Sequence, residues 1–180
     1  NKSKLISDEE LITGCKEQNQ RAQKMLFEKY ADRMMAVCMR YTKNQEDAKD
    51  LLQDGFYKVF VNIKKFKGNS SITTWMTRVF INLAINKQRL GRNKYDHLEF
   101  DPSKEKVFEE ASEPEKQPEP ETVLAALNKL PDIYKTVLNM YAIDQLSHKE
   151  IAKQLGISVG SSKSRLSRGR VMLNTLLNNK

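Results

Sequence analysis

Helical periodicity runs through most of this 180-residue chain and fails over one long stretch. From Gly91 to about Glu121 the apolar residues lose their spacing of threes and fours, and Pro102, Pro114, Pro118 and Pro120 interrupt an acidic stretch. Proline lacks the amide proton that a helix interior needs, and a run of like charges repels itself. Such a segment stays extended and builds no third core. The pattern therefore predicts an all-α chain of two small helical domains, roughly 1–95 and 122–180, joined by an acidic, proline-containing linker at 96–121. No stretch reads as a strand, a repeat or a membrane span.

In the first part, Ser7-Asp8-Glu9-Glu10 has the spacing of a capping box, and Leu5, Ile6, Leu11 and Ile12 open a helical pattern. Polar Gln18–Gln20 mark a turn, after which Ala22, Met25, Leu26, Tyr30, Met34, Val37, Cys38 and Tyr41 continue as a second helix. Methionine-rich helical stripes of this kind are core. The strongest helix is Gln45–Ile63, apolar at Ala48, Leu51, Leu52, Phe56, Val59, Phe60 and Ile63. Acids and amides crowd its first half. Glu46 and Asp47 suit the helix dipole, whereas Asp50 and Asp54 lie deeper, one turn apart. The pair is able to bind a metal, serve as acid and base, or form a docking face; no histidine or further acid converges on it, which disfavours a metal, and a solvated face is the default.

Lys64–Ser71 (KKFKGNSS) breaks the pattern as a loop holding Phe66 among three lysines. An exposed ring beside cations is equipped to stack an unpaired base, while a ring folded back onto the domain would be core; the residues alone leave both open. Ser71 or Thr73 caps the next helix, Thr74–Leu90, where Trp75, Val79, Phe80, Leu83 and Ala84 face inward. Arg78, Asn82, Asn86, Lys87 and Arg89 remain for polar faces. Asparagine is a poor helix former, so Asn82, Asn86 and Gln88 suggest local use, such as reading bases.

In the second part, Val123, Leu124, Leu127 and Leu130 make a helix, Leu130-Pro131-Asp132 is a stop and restart, and Ile133–Tyr141 follows. Then comes LSHKEIAKQLGISVGSSKSRLSRGR at 146–170. Its first helix is apolar at Leu146, Ile151, Ala152 and Leu155, and Gly156 permits a left-handed helix end. Ser158 stands at the next N-cap. The second helix presents Lys163, Arg165, Arg168 and Arg170, with Leu166, Val171 and Leu173 inward. A short helix, a tight turn and a basic second helix form a helix-turn-helix, whose second helix fits the DNA major groove.

Charge distribution agrees. The net charge is +8, with a pI near 9.4. Trp75–Tyr95 has five basic residues and no acid, and Ser147–Lys180 has seven against the single Glu150. The intervening Asp96–Thr122 carries ten acids against three lysines. Basic ends suit a polyanion; an acidic linker avoids sticking to it. Cys15 and Cys38 show no CxxC spacing and are expected to be free, reduced thiols. With no long apolar run and no signal-peptide pattern, the expected location is cytoplasmic. His97 and His148 form no cluster, and neither a nucleophile constellation nor a phosphate-cradling glycine loop is present, so no enzyme, metal, cofactor or small-molecule substrate is expected.

EDAKDLLQDGFYKVF at 46–60 and FKGNSSITTWMTRVFINLAINKQR at 66–89 resemble the second conserved region of bacterial sigma factors of the small, extracytoplasmic-function (ECF) type in the sigma-70 family. LNKLPDIYKTVLNMYAIDQLSHKEIAKQLGISVGSSKSRLSRGRVML at 127–173 is similar to the fourth. The ordered pair covers well over half the chain. The resemblance implies a protein that joins core RNA polymerase, directs it to promoter DNA and helps open the duplex. It implies that Asp50, Leu51, Gln53, Asp54 and Phe56 dock on the polymerase clamp. It assigns capture of a flipped minus-ten base to the loop Phe66, Gly68, Asn69 and Ser70, with Arg78, Val79 and Asn82 beside it and Asn86, Lys87 and Arg89 further along the helix. Ser158, Lys163, Ser164, Arg165, Ser167 and Arg168 then read the minus-thirty-five element. An anti-sigma factor is a common family partner, and the apolar faces of both domains are its expected target. Ser161 and Ser162 stand where the family often has threonine and valine, and Gly169 where alanine is usual. Ser162 is therefore expected to underfill the packing behind the recognition helix, and Gly169 to leave its end more mobile. The competing reading is a stand-alone helix-turn-helix regulator whose residues 1–95 sense a signal or dimerise.

Overall fold

The computed structural model describes residues 7–91 and 119–178, so nearly all of the acidic linker lies outside the described residues. The chain divides into two compact units, Asn1–Asn93 and Lys94–Lys180. Among the described residues every regular element is helical and none is a strand.

The first unit contains α1 (Asp8–Lys16), α2 (Gln20–Tyr41), α3 (Gln45–Asn62), a 3-10 turn at Ile63–Lys65 and α4 (Ile72–Gly91). Local chemistry sets each start. Ser7 and Glu10 form the reciprocal capping box on α1. Asn19 Oδ1 accepts from the amides of Arg21 and Ala22 to open α2, Asn44 caps α3 through Asp47, and Ser71 caps α4 through Thr74. Long α2 packs against α1, α3 and α4, and α3 packs on α4. Leu26, Met34, Leu51, Val59, Met76, Phe80 and Ile81 are almost wholly buried between them. Gly55 lets α3 approach α4: an added Cβ would fall inside the van der Waals shell of the Phe80 ring. On α1, Asp8 accepts from Tyr30 Oη at 2.8 Å and Lys29 Nζ at 2.7 Å, which ties it to α2. The Lys29 hydrogen bond holds the Asp8 carboxyl below its ordinary value, while burial first, then Asp8, pushes the Tyr30 phenol up.

The second unit contains α5 (Pro120–Lys129), α6 (Asp132–Leu138), a π-helical turn (Asn139–Ile143), α7 (His148–Leu155) and α8 (Val159–Asn178). Helix α8 packs against α5, α6 and α7. Three details differ from the sequence reading. The helix expected over 133–141 changes winding after Leu138, where the Asp144 amide donates to the Asn139 carbonyl. Leu146 precedes its helix: Ser147 is the N-cap, boxed with Glu150, and buried Leu146 and Ile151 occupy the two staple positions. Gly169 is a close-packing position and leaves no slack, because an added Cβ would lie 2.9 Å from Leu138 Cδ1 and 3.1 Å from its Cγ. Gly156 takes the left-handed conformation with φ 66°, as the turn requires.

Cys15 and Cys38 are free and buried, and burial pushes the Cys38 thiol up to about 12. That removes the thiolate, the reactive form, at neutral pH. Among the described residues no helix is long and apolar enough to cross a membrane, and no cluster of metal-ligating side chains occurs.

Candidate nucleic-acid and partner interfaces

Helix α3 has one buried and one exposed face. Asp50, Gln53 and Asp54 are exposed, but Leu51 and Phe56 are not. Leu51 is 1% accessible and Phe56 3%, with the Phe56 ring packed on Phe27, Phe60 and Phe80 at 4.7, 6.0 and 5.5 Å. These two lie behind the exposed face of α3 and are not part of it. The outward stripe runs instead through Asp50, Asp54, Tyr57 and Val61, with Tyr57 67% and Val61 59% accessible. Steps of four, three and four residues place them on one face, a signal already present in the sequence.

The Phe66 ring is buried, only 8% accessible, and tilted against Trp75 at 5.4 Å. Of the two readings left open, the ring folded back onto the domain is the one found. It presents no free face for a base. The loop exposes Lys64, Lys65, Lys67, Gly68 and Asn69, with Ser70 half-buried. Gly68 has φ 78° and open space around its Cα, so the backbone here is bare toward solvent.

On α4, exposed Arg78, Asn82 and Asn86 recur every four residues and form one polar ridge beside half-buried Val79. Gln88 leaves this group: its Nε2 donates to the Tyr41 carbonyl at 3.0 Å, tying α4 to the end of α2. Lys87 also turns elsewhere and forms an ion pair with Asp54 on α3. One cation expected at DNA and one acid expected at polymerase thus neutralise each other. The Arg89 side chain lies outside the described residues.

In the helix-turn-helix, Ser158 caps α8: its Oγ accepts from the Ser161 amide at 3.0 Å and donates to Ser161 Oγ at 2.9 Å. Lys163, Ser167 and Arg170 are the exposed ridge of α8, whereas Ser164, Arg165 and Arg168 are half-buried. Behind the ridge, Ser162 is completely buried, with its hydroxyl 2.9 Å from His148 Nδ1. The serine is not an underfilled position; a polar pair replaces the expected aliphatic packing. The His148 ring stacks on Tyr141 at 4.7 Å, and the Arg170 guanidinium lies 5.6 Å from the Tyr141 ring.

Burial first, then the charges of Lys163 and Arg170, lowers the His148 pKa from its ordinary value. The native state thus favours the neutral ring, so stability is full above about pH 6.5 and falls as acid protonates it. Thermal denaturation followed between pH 7.5 and 5 is expected to show this loss, and His148→Gln to remove that part of it. An identical pH profile in the variant would contradict the assignment.

Residues 26–93 match the family Sigma-70 region 2, and residues 121–173 match Sigma-70, region 4. The chain is similar to the ECF RNA polymerase sigma factor SigW of Bacillus subtilis, 32% identical over 162 residues, which span 80% of this chain and 82% of that one. It is also 32% identical to the RNA polymerase sigma factor YlaC of the same organism, over 82% of this chain and 87% of the relative. In fold it resembles the sigma factor RpoE of Bartonella quintana, crystallised with the anti-sigma factor NepR, at a TM-score of 0.58 and 22% identity, over 87% of this chain and 97% of that one. With both regions matched in order and relatives at this identity matched over more than four fifths of their length, the chain belongs to the ECF RNA polymerase sigma factors of the sigma-70 family.

Proposed function

We propose that this ECF sigma factor, in directing promoter-specific transcription, divides the work among three surfaces. The outward stripe of α3, acidic at Asp50 and Asp54 and apolar at Tyr57 and Val61, docks on core RNA polymerase. The loop Gly68–Ser70 and the ridge Arg78, Asn82 and Asn86 take the minus-ten strand as it opens. Lys163, Ser167, Arg168 and the neighbouring Arg165 read the minus-thirty-five duplex, with Ser158 and Ser164 at the helix start. The observation that carries this reading is the pairing, in one chain, of an exposed acidic helix face with two separate ridges, one on α4 bearing Arg78 and two asparagines and one on α8 bearing Lys163, Ser167 and Arg170. A stand-alone regulator has no use for the first, and its supposed sensing domain is the part that matches region 2.

Phe66 acts here through its buried ring, holding the loop, and the base is met by Asn69, Ser70 and bare backbone at Gly68. Flipping a base costs a few kcal/mol, so edge contacts offered by a preformed loop select the strand that pays least for unstacking. An anti-sigma factor is a second proposed partner. It would cover exposed apolar side chains such as Tyr57 and Val61 in the first unit and Leu124 and Ile143 in the second.

Paired substitutions test the division of labour. Lys163→Ala is expected to weaken duplex binding and lower the salt slope by about one, as loss of one phosphate contact requires. Asn82→Ala is expected to slow promoter opening, read by permanganate reactivity of unpaired thymines, at unchanged salt slope. The opposite pattern would exchange the two surfaces, and no effect of either would remove both.

A further inference from the structure

Lys16 lies in the last turn of α1, ahead of Leu26, where the match to region 2 begins. Its ammonium donates a 3.0 Å hydrogen bond to the carbonyl oxygen of Phe66, which is fifty residues away in sequence, in partly buried surroundings. The Phe66 amide donates to the Ile63 carbonyl at 3.0 Å, and the Phe66 ring packs on Trp75. The residue that opens the loop is therefore held at three points: amide, ring and carbonyl. The carbonyl point is the one that fixes the peptide leading into Lys67 and Gly68.

The anchor itself is rigid. Asp8 ties α1 to Tyr30, and Gly14 sits so close to α2 that an added Cβ would lie 2.6 Å from Ala22 Cβ. A cation at a helix C-terminus is also favoured by the helix dipole, which holds the ammonium near the end of α1. Its bond to Phe66 is charge-assisted, and such bonds are stronger than neutral ones.

From this geometry we infer that Lys16 is a positioning residue for the minus-ten loop. It sets the Phe66–Lys67 peptide plane from outside the matched region, so that Gly68–Ser70 meet a displaced base without first being ordered. A loop ordered in advance loses less conformational freedom on binding. The inference rests on the base-capture role proposed for that loop, and the two can be separated. Trp75 is the only tryptophan in the chain and packs on Phe66, so its fluorescence reports the loop in the free protein.

The experiment compares full-length Lys16→Met and Lys16→Arg with the parent chain. Acrylamide quenching of Trp75 and the thermal midpoint are measured in the free protein. Promoter opening, its salt dependence and core polymerase affinity are measured in the holoenzyme. Lys16→Met is expected to make Trp75 more quenchable with only a small fall in midpoint, and to slow opening about threefold to tenfold at unchanged polymerase affinity and salt slope. Lys16→Arg, which keeps the donor, is expected to restore most of both. Unchanged quenching in Lys16→Met overturns the inference, and with a shallower salt slope it assigns Lys16 to a phosphate. A parallel fall in midpoint and polymerase affinity makes the residue structural only and overturns it too. Increased quenching with normal opening keeps the anchor but overturns base capture by the loop.

Discussion

Gly55→Val is expected to cost the first unit about 3 kcal/mol or more and to lower its melting midpoint by more than about 10 °C. Any side chain at this position of α3 must enter the space of the Phe80 ring. That ring has no measurable exposure and sits edge-on to Phe56 at 5.5 Å, so it cannot swing aside without disturbing a second buried aromatic. Backbone alternatives are also closed, since Gly55 lies in the middle of a regular helix. Differential scanning calorimetry checks the expectation, with Gly68→Ala as the control. Gly68 has open space around its Cα, so its substitution carries only the backbone penalty of a left-handed residue, about 1–2 kcal/mol. A Gly55→Val protein as stable as the control would show that α3 and α4 have room to separate.

Reversing both acids, Asp50→Lys with Asp54→Lys, is expected to lower core polymerase affinity by about a hundredfold or more while leaving the fold intact. Opposed charges across an interface are worth several kcal/mol, and reversal makes both members of each contact repulsive. The folded state loses little, because Asp50 is exposed and the Asp54–Lys87 pair is on the surface, where such pairs contribute about 0.2–1 kcal/mol. Equilibrium titration of labelled protein with core polymerase measures the affinity, and circular dichroism checks the fold. Unchanged affinity in a folded double variant would remove α3 as the docking face.

Sequence made some features readable because their cause is local. A capping box needs two residues three apart, so Ser7 and Glu10 announced α1. Gly156 and Ser158 announced the helix-turn-helix through the left-handed end and the cap they form. Ser147 and Glu150 carry the same local signal, which places the start of α7 after Leu146. What sequence did not reveal depends on partners far along the chain. Phe66 among three lysines looks equally like a platform or a buried ring until Trp75 is placed beside it. Lys16 carries no local mark of its bond to a carbonyl fifty residues on. Leu51 and Phe56, by contrast, share a motif with Asp50 and Asp54 yet face the opposite way for a local reason. Helical spacing alone already separated Leu51 and Phe56 from the stripe through Tyr57 and Val61. Ser162 shows the remaining difficulty: a serine in a core position reads as a defect until the histidine that completes it, fourteen residues earlier, is seen.

As an ECF sigma factor this chain is expected to confer promoter choice on core RNA polymerase. Run-off transcription with purified core polymerase on a random promoter library, sequenced at the start sites, tests it most directly. Discrete start sites preceded by two shared sequence elements, and lost on reversal of Asp50 and Asp54, are the expected result. Transcription no more selective than that of core polymerase alone would contradict it.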